Sequence, residues 1–355
     1  MQIADAIKIL STYCATASYT LPELASIGFS GGRAFASDGI TSLSLKSPLK
    51  DEGFCVDSKS MLGWTNSFTG KTDFTVEYSD DVLSIKAGSG AQARFATTPS
   101  SSYRIPVAHE SEGFQKVAKI RVADIAEALA YVLRRSGTDV SAPWASGTTL
   151  DFQEDGTLRI YMTDNLTVAA SKIEGTTVYS PGVFMITHAA ATRMSELLSL
   201  FHDDTRALLV SDGDTLGVEF AHYFLTTVAI HEAADVEKFE NVLSEAEGLP
   251  FVESNEDLIR ALRRHNAFAG PADAATHLMW DGRAVLLVTK SSASVIKDKV
   301  DLGNEGDHPN AAVYIRSGVL ARTLQDSPLI SITDEFVGCM PNRSPYRCMI
   351  AGMER

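Results

Sequence analysis

Several things are scarce in this 355-residue chain, and each scarcity removes a class of function. There are four cysteines, Cys14, Cys55, Cys339 and Cys348, and no C-x-x-C pair. So few thiols over this length read as reduced side chains of a cytoplasmic protein, not as a disulfide framework or a zinc ribbon. Eight histidines are scattered without an H-E-x-x-H or similar spacing, so no metal site and no cofactor are expected. No run approaches the roughly 18 uninterrupted apolar residues that a membrane span needs. The opening MQIADAIKIL also lacks the basic start and cleavage site of a secretory signal. No G-x-x-x-x-G-K-[ST] loop is present, so nucleotide hydrolysis is not expected of this chain. Positive charge is short as well. Thirty-one lysines and arginines face 45 acids, a net charge of −14, which as a bare sum argues against a nucleic-acid partner.

What is plentiful is repetition. Apolar residues make up 45% and charged residues 21%, a globular balance, and the length predicts two or three domains. The stretch LRIYMTDNLTVAAS at 158–171 and the stretch RAFASDGITSLSL from Arg33 have one build. Each is an apolar run, Ser/Thr-Asp, a turn-tolerant residue and then alternating apolar positions. Asp38 and Asp164 are 126 positions apart, and another 126 lands on Lys290 in RAVLLVTKSSASVI. A second series lies between these: FTVEYSDDVLSIKA around Asp80, RALLVSDGDTLGVEF around Asp212, and PLISITDEFVGC around Asp334. Each member reads as a strand, a tight turn and a returning strand. Three similar domains of two similar halves are therefore expected, with bounds 1–112, 113–245 and 246–355.

Each half begins with an amphipathic helical pattern. Residues 121–136 put Val122, Ile125, Ala126, Leu129, Val132 and Leu133 on one stripe. From Asn255, Leu258, Ile259 and Leu262 share a face opposite Arg260, Arg263 and Arg264. Weaker patterns fit residues 3–14, 57–68, 187–201 and 316–325. Six helices, each followed by short strands, predict an α+β fold with helices packed on one face of continuous antiparallel sheets. These six segments hold Lys8, Lys59, Arg121, Arg134, Arg135, Arg193, Arg260, Arg263, Arg264, Arg316 and Arg322 against seven acids. The helices thus carry +4 and the remainder −18. A single arginine near a helix C-terminus is explained by the macrodipole, worth about 0.3–1 kcal/mol. Segregation across six helices is not.

The order of motifs resembles a bacterial-type DNA sliding clamp, the beta subunit of DNA polymerase III. FCVDSKSMLGWTNSF followed by TVEYSDDVLSIKAGSGAQARFATT is similar to the family's second half-domain, with Tyr103 to Pro106 where the family closes its first domain. IAEALAYVLRRSGTDVSAPWASGTTLDF resembles the start of the middle domain, with Gly147 opening its first strand, and VFMITHAAATRMSELLSLF resembles its second helix. YIRSGVLARTL resembles the last helix before the C-terminal strands. The resemblance implies the DNA clamp fold, a ring with helices inside and sheets outside, closed by two chains as a homodimer. The partners implied are encircled duplex DNA, a DNA polymerase and a clamp-loader ATPase. The basic helices would then face phosphate without reading sequence. A viral or plasmid-borne clamp fits the same pattern, as does a clamp-like scaffold for non-replicative partners.

The same resemblance implies a hydrophobic partner cleft. Thr163 and Asp164 match its Thr-Asp, Val168 an apolar position after it, Pro250 a cleft proline, and Val319 lies on the flanking helix. The family's Gly-His-Arg after Thr-Asp is replaced here by Asn165, Leu166 and Thr167, with Leu166 counted in the cleft. The family usually ends in Met-Pro-x-Arg. Met340-Pro341-Asn342-Arg343 fits those letters but follows Asp334 too closely, and reads instead as a hairpin turn. YRCMIAGM then forms the last strand, bringing Met349 and Ile350 to the cleft. One enzymatic alternative comes from GFSGG at 28–32, which satisfies G-x-S-x-G and would make Ser30 a hydrolase nucleophile if a helix followed. The alternation after it predicts a strand.

Overall fold

The computed structural model describes residues 3–15, 21–49, 53–68, 72–100, 113–135, 142–201, 204–230, 236–246, 248–269, 275–291, 294–303, 309–341 and 347–352. Through them runs one pattern six times: a strand, a helix and three further strands. Among the described residues the first copy begins at its helix and comprises α1 (Ile3–Ser11), β1 (Ser26–Ser30), β2 (Arg33–Ser37) and β3 (Thr41–Lys46). The second is β4 (Phe54–Asp57), α2 (Ser58–Thr65), β5 (Phe74–Ser79), β6 (Val82–Ala87) and β7 (Gln92–Ala96), trailed by the short β8 (Thr98–Pro99). The third is β9 (Gln115–Arg121), α3 (Val122–Arg135), β10 (Gly147–Phe152), β11 (Leu158–Thr163) and β12 (Thr167–Ile173), trailed by β13 (Thr177–Val178). The fourth is β14 (Gly182–Thr187), α4 (His188–Leu198), β15 (Arg206–Ser211), β16 (Thr215–Phe220) and β17 (Tyr223–Ile230). A further helix, α5 (Val236–Ser244), intervenes. The fifth copy is β18 (Val252–Glu253), α6 (Glu256–Ala269), β19 (Ala275–Trp280), β20 (Ala284–Lys290) and β21 (Val295–Asp301). The sixth is β22 (Ala311–Arg316), α7 (Ser317–Asp326), β23 (Leu329–Ile332), β24 (Phe336–Met340) and β25 (Arg347–Ala351). The six expected helices are present within a few residues of their bounds, and α5 is additional. Tyr103 to Pro106 lie outside the described residues.

Local chemistry explains the pattern. The last residue of a leading strand doubles as helix cap: the Asp57 carboxylate accepts from Ser60 N at 2.7 Å, and the Thr187 hydroxyl from Ala190 N at 3.1 Å. The hairpin aspartates hold the turns. Asp38 Oδ1 accepts from Thr41 N at 2.8 Å, Asp164 Oδ1 from Thr167 N at 2.7 Å, and Asp212 Oδ1 from Thr215 N at 2.8 Å. In the last third of the chain the alignment shifts by one residue. Ser291, not Lys290, takes the acceptor position and bonds Ser294 N at 3.1 Å. Thr333, not Asp334, does so in the second series and bonds Phe336 N at 3.0 Å. Both segments are strand, turn and returning strand as expected, with a hydroxyl doing the carboxylate's work. The final hairpin is as expected, with β24 antiparallel to β25; Asn342 and Arg343 lie outside the described residues.

The chain divides into two compact units. Unit 1, Met1–Val122 with His202–Ala229, holds a continuous antiparallel sheet in the order β8-β4-β1-β2-β3-β17-β16-β15-β9. It also holds the sheet β5-β6-β7. In it α1 packs on α2, burying Ile7, Leu10 and Met61 with Leu83 and Ile85 of β6. Each fully buried chain of this size contributes about 1.5–3 kcal/mol.

Unit 2, Ala123–Phe201 with Ile230–Arg355, repeats the design. Its long sheet runs β14-β10-β11-β12-β25-β24-β23-β18, beside a four-stranded sheet β21-β20-β19-β22. The Ser195 hydroxyl of α4 bonds the Ala126 carbonyl of α3 at 3.4 Å. α6 packs on α7, where a Cβ on Gly318 would lie 2.4 Å from Asn266 Oδ1. Both units contain the same seam: β3 meets β17 with Thr41 opposite Thr227 and Ser42 opposite Thr226, and β12 meets β25 with Thr167 opposite Ile350 and Val168 opposite Met349. Among the described residues, β7 and β21 are edge strands of their sheets, with β5 and β22 the opposite edges.

Candidate functional site

The seam in unit 2 carries a cavity of about 470 Å³, within the range that accepts ligands and peptide side chains. Its floor is apolar, with Val168 of β12, Met349 of β25 and Phe336 of β24, while α5 closes one side with Phe239 and Val242. Tyr161 of β11 stacks on Phe239 at 5.3 Å between ring centroids, and buried Met185, Leu243 and Ala170 complete the cluster beneath. α5 is fastened to the sheet by charge as well. Glu240 accepts from the Tyr161 hydroxyl and pairs with Arg159 at 3.0 Å. Burial first, and then this bond, push the Tyr161 phenol well above its ordinary range, so it stays a neutral donor.

The turn at the cavity mouth is built by Thr163 to Thr167. Thr163 is 1% exposed and its hydroxyl accepts from Asn165 N at 3.2 Å. Asn165 adopts φ +66°, the left-handed conformation that asparagine tolerates best after glycine. Asparagine thus makes this left-handed turn without a glycine.

Of the residues expected in the cleft, Thr163, Leu166, Val168 and Met349 line this cavity. Pro250, Val319 and Ile350 do not. Pro250 borders a separate small cavity of about 170 Å³ with Leu249, Val252 and Ile330. Val319 is half-buried on α7, and Ile350 is 2% exposed, paired opposite Thr167. Sequence reasoning missed Trp144, Lys238, Phe239, Val242 and Phe336. The signal for α5 was present in Val236, Phe239, Val242 and Leu243, spaced as one helical face.

The cations expected to face DNA fall into distinct groups. Lys8, Lys59, Arg263, Arg316 and Arg322 are exposed and make no ion pair among the described residues. Arg134 is exposed but reaches Asp326 at 3.3 Å, Arg260 pairs with Asp257 at 2.5 Å, and Arg264 with Asp298 at 3.0 Å. Such exposed pairs bind weakly and leave the cation available. Arg193 is half-buried on α4. Arg135 is a correction: at 4% exposure it is out of reach of a phosphate. It lies over the Tyr131 ring at 3.5 Å, donates to the Tyr131 carbonyl at 2.7 Å and contacts Asp326 at 3.4 Å, which ties α3 to the end of α7. The observed bounds also leave Arg121, Arg316 and Asp57 outside the helices and bring Asp326 in. The six helices then hold nine cations against seven acids, a smaller excess than expected.

Other chemistry is placed elsewhere. Ser30 ends β1, and Gly31 and Gly32 turn the chain at φ +56° and +70° into β2. The strand-to-helix elbow of a hydrolase is therefore missing at Ser30. All four cysteines are free and buried, and burial pushes the Cys55 and Cys348 thiols up to about 12. Among the described residues no group of three or more His, Cys, Asp or Glu could hold a metal ion, and no helix is long and apolar enough to cross a membrane.

A chain of repeated helix-plus-antiparallel-sheet units with this sheet order has the fold of the bacterial sliding clamps. It superposes with a TM-score of 0.83 on the Pseudomonas aeruginosa DnaN sliding clamp, DNA polymerase III subunit beta, bound to griselimycin, at 14% identity over 99% of this chain and 97% of that one. The DNA polymerase III beta subunit of Thermotoga maritima matches at 0.82, with 16% identity over 100% and 97%. A putative beta subunit from Eubacterium rectale matches at 0.80, with 12% identity over 99% and 97%. No protein-family model matches the sequence, and no curated protein matches it. At these identities the likeness establishes the fold.

Proposed function

We propose that the protein is a sliding clamp, a non-enzymatic processivity factor that encircles duplex DNA and tethers a DNA polymerase through the unit 2 cavity. The observation that carries this reading is the repeated seam. The chain makes it twice in one register, each time from the last strands of two copies, and β7 and β21, the last strands of the second and fifth copies, are sheet edges, each a template for another strand. A third seam of the same kind, formed by β21 of one copy with β7 of another, closes two chains head to tail into a ring. The six repeats are then read as three domains, 1–112, 113–245 and 246–355. The compact units cut across this division because the long sheets run on from one domain to the next.

Lys8, Lys59, Arg134, Arg193, Arg260, Arg263, Arg264, Arg316 and Arg322 would contact phosphate inside the ring, with no base readout. Retention comes from topology, so the affinity of these cations can stay low. With no nucleotide loop of its own, the clamp needs a separate loader ATPase to open it. The test is loading onto nicked circular plasmid followed by a wash in high salt. The loaded protein should stay on the circle and be lost once the plasmid is linearised, because ionic contacts alone dissolve steeply with salt. Equal loss from both forms would overturn encirclement.

A further inference from the structure

We propose that the unit 2 cavity selects a partner segment carrying a lysine or arginine beside its apolar anchors. The inference rests on reading that cavity as the partner site. Its floor recognises apolar side chains and sets no charge preference. The rim does. Glu245 at the end of α5 and Glu335 in the β23–β24 turn both line the cavity, both are exposed, and neither carboxylate has an ion pair among the described residues. The cation that lines the cavity with them, Lys238, is held with Nζ 4.0 Å from the centroid of the Trp144 ring. Glu240, on the same helix, is already neutralised by Arg159. Lys238 keeps its charge over the ring, and two open carboxylates against one ammonium leave the mouth net negative.

An incoming carboxylate would meet like charge while losing water to the apolar floor. An ammonium or guanidinium would gain two partners at the rim, and its methylene stem could lie along Val242. Exposed pairs of this kind are each worth a few-fold in affinity, so two together give about tenfold. The dependence on charge should fade with salt, because the rim is open to solvent.

Three fluorescein-labelled peptides, Ser-Gly-X-Leu-Ala-Phe-Gly-Ser with X as Lys, Gln or Glu, test this by fluorescence anisotropy against the full-length protein. At low salt the Lys peptide should bind about tenfold more tightly than the Glu peptide, with Gln between. In the Glu245→Gln/Glu335→Gln variant the three affinities should converge, while binding through the apolar floor persists. Equal affinities in the wild-type protein, or tighter binding of the Glu peptide, would overturn the charge preference and leave the cavity as partner site. No binding by any of the three would overturn both. Both substituted side chains are exposed, so the variant should keep the circular dichroism spectrum of the wild-type protein.

Discussion

The two seams of this molecule share a backbone and differ in chemistry. In unit 1, β3 and β17 bring Ser42 opposite Thr226; in unit 2, β12 and β25 bring Val168 opposite Met349, in the same register and after turns held by equivalent aspartates. Among the described residues α5 covers the second, where a phenylalanine and a valine of that helix join the strand residues around a cavity. The repeat supplies geometry twice, and a few apolar substitutions with one added helix turn one copy into a candidate site. A glycine marks the same contrast. Gly147 opens β10 opposite the capping Thr187, as Ser26 opens β1 opposite the capping Asp57.

The largest expected effect tests whether those two positions are under different constraint. A Cβ at Gly147 would lie 2.4 Å from the Ile186 carbonyl oxygen, and backbone does not yield cheaply. Gly147→Ser should therefore lose about 3 kcal/mol in urea unfolding, whereas Ser26→Gly should lose only about 0.5–1 kcal/mol. Equal losses would break the comparison at its base.

Next in size is a conversion of one seam into the other. Val168→Ser with Met349→Thr gives unit 2 the side chains of unit 1, and binding of the lysine-bearing peptide should weaken roughly thirtyfold, about 2 kcal/mol. Hydrogen exchange in unit 1 should be unchanged. Undiminished binding would move the partner site elsewhere.

The smallest effect is a pH dependence stronger in unit 2. His265 of α6 is fully buried, its Nδ1 2.7 Å from the Thr289 hydroxyl and its Nε2 3.3 Å from Asp298, which also pairs with Arg264. Burial lowers its pKa below the ordinary 6.5, outweighing the opposing pull of Asp298. His188 is lowered by burial as well. A histidine depressed in the folded state leaves the unfolded chain binding more protons as pH falls. The stabilisation is therefore complete above about 6.5 and is lost on acidification below it. Hydrogen-exchange protection in α6, taken relative to the intrinsic exchange rate at each pH, should fall between pH 7.5 and 5.5, with unit 1 less affected, and His265→Gln should blunt that response. Equal acid sensitivity in the two units would remove this distinction.

Much of this was legible because its causes are local. Asp38, Asp164 and Asp212 close turns within three residues, and the helical stripes of α3 and α6 follow from the 3.6-residue period. The hairpins around Lys290 and Asp334 were legible too, whereas the acceptors that hold them, the Ser291 and Thr333 hydroxyls, were not, because spacing alone does not single out a hydroxyl. Arg135 was grouped with Arg134 by adjacency, although Tyr131 one turn earlier shares its buried face; its partner Asp326 is 191 residues away. The cavity was half legible. Its strand residues lie in a recognisable motif, but α5 matches no other helix of the repeats among the described residues and its counterparts across the cavity are distant in sequence.

By itself the sequence determined the repeated strand–helix–strand units, the acidic balance and the positions of the basic helices, since each depends on periodicity, turn chemistry or composition. Only the tertiary structure decided which arginine is buried, which of two equivalent seams becomes a cavity, and which strand edges stay open. Those depend on which residues meet across more than a hundred positions of chain, and side-chain burial and strand pairing act on distance in space, not in sequence.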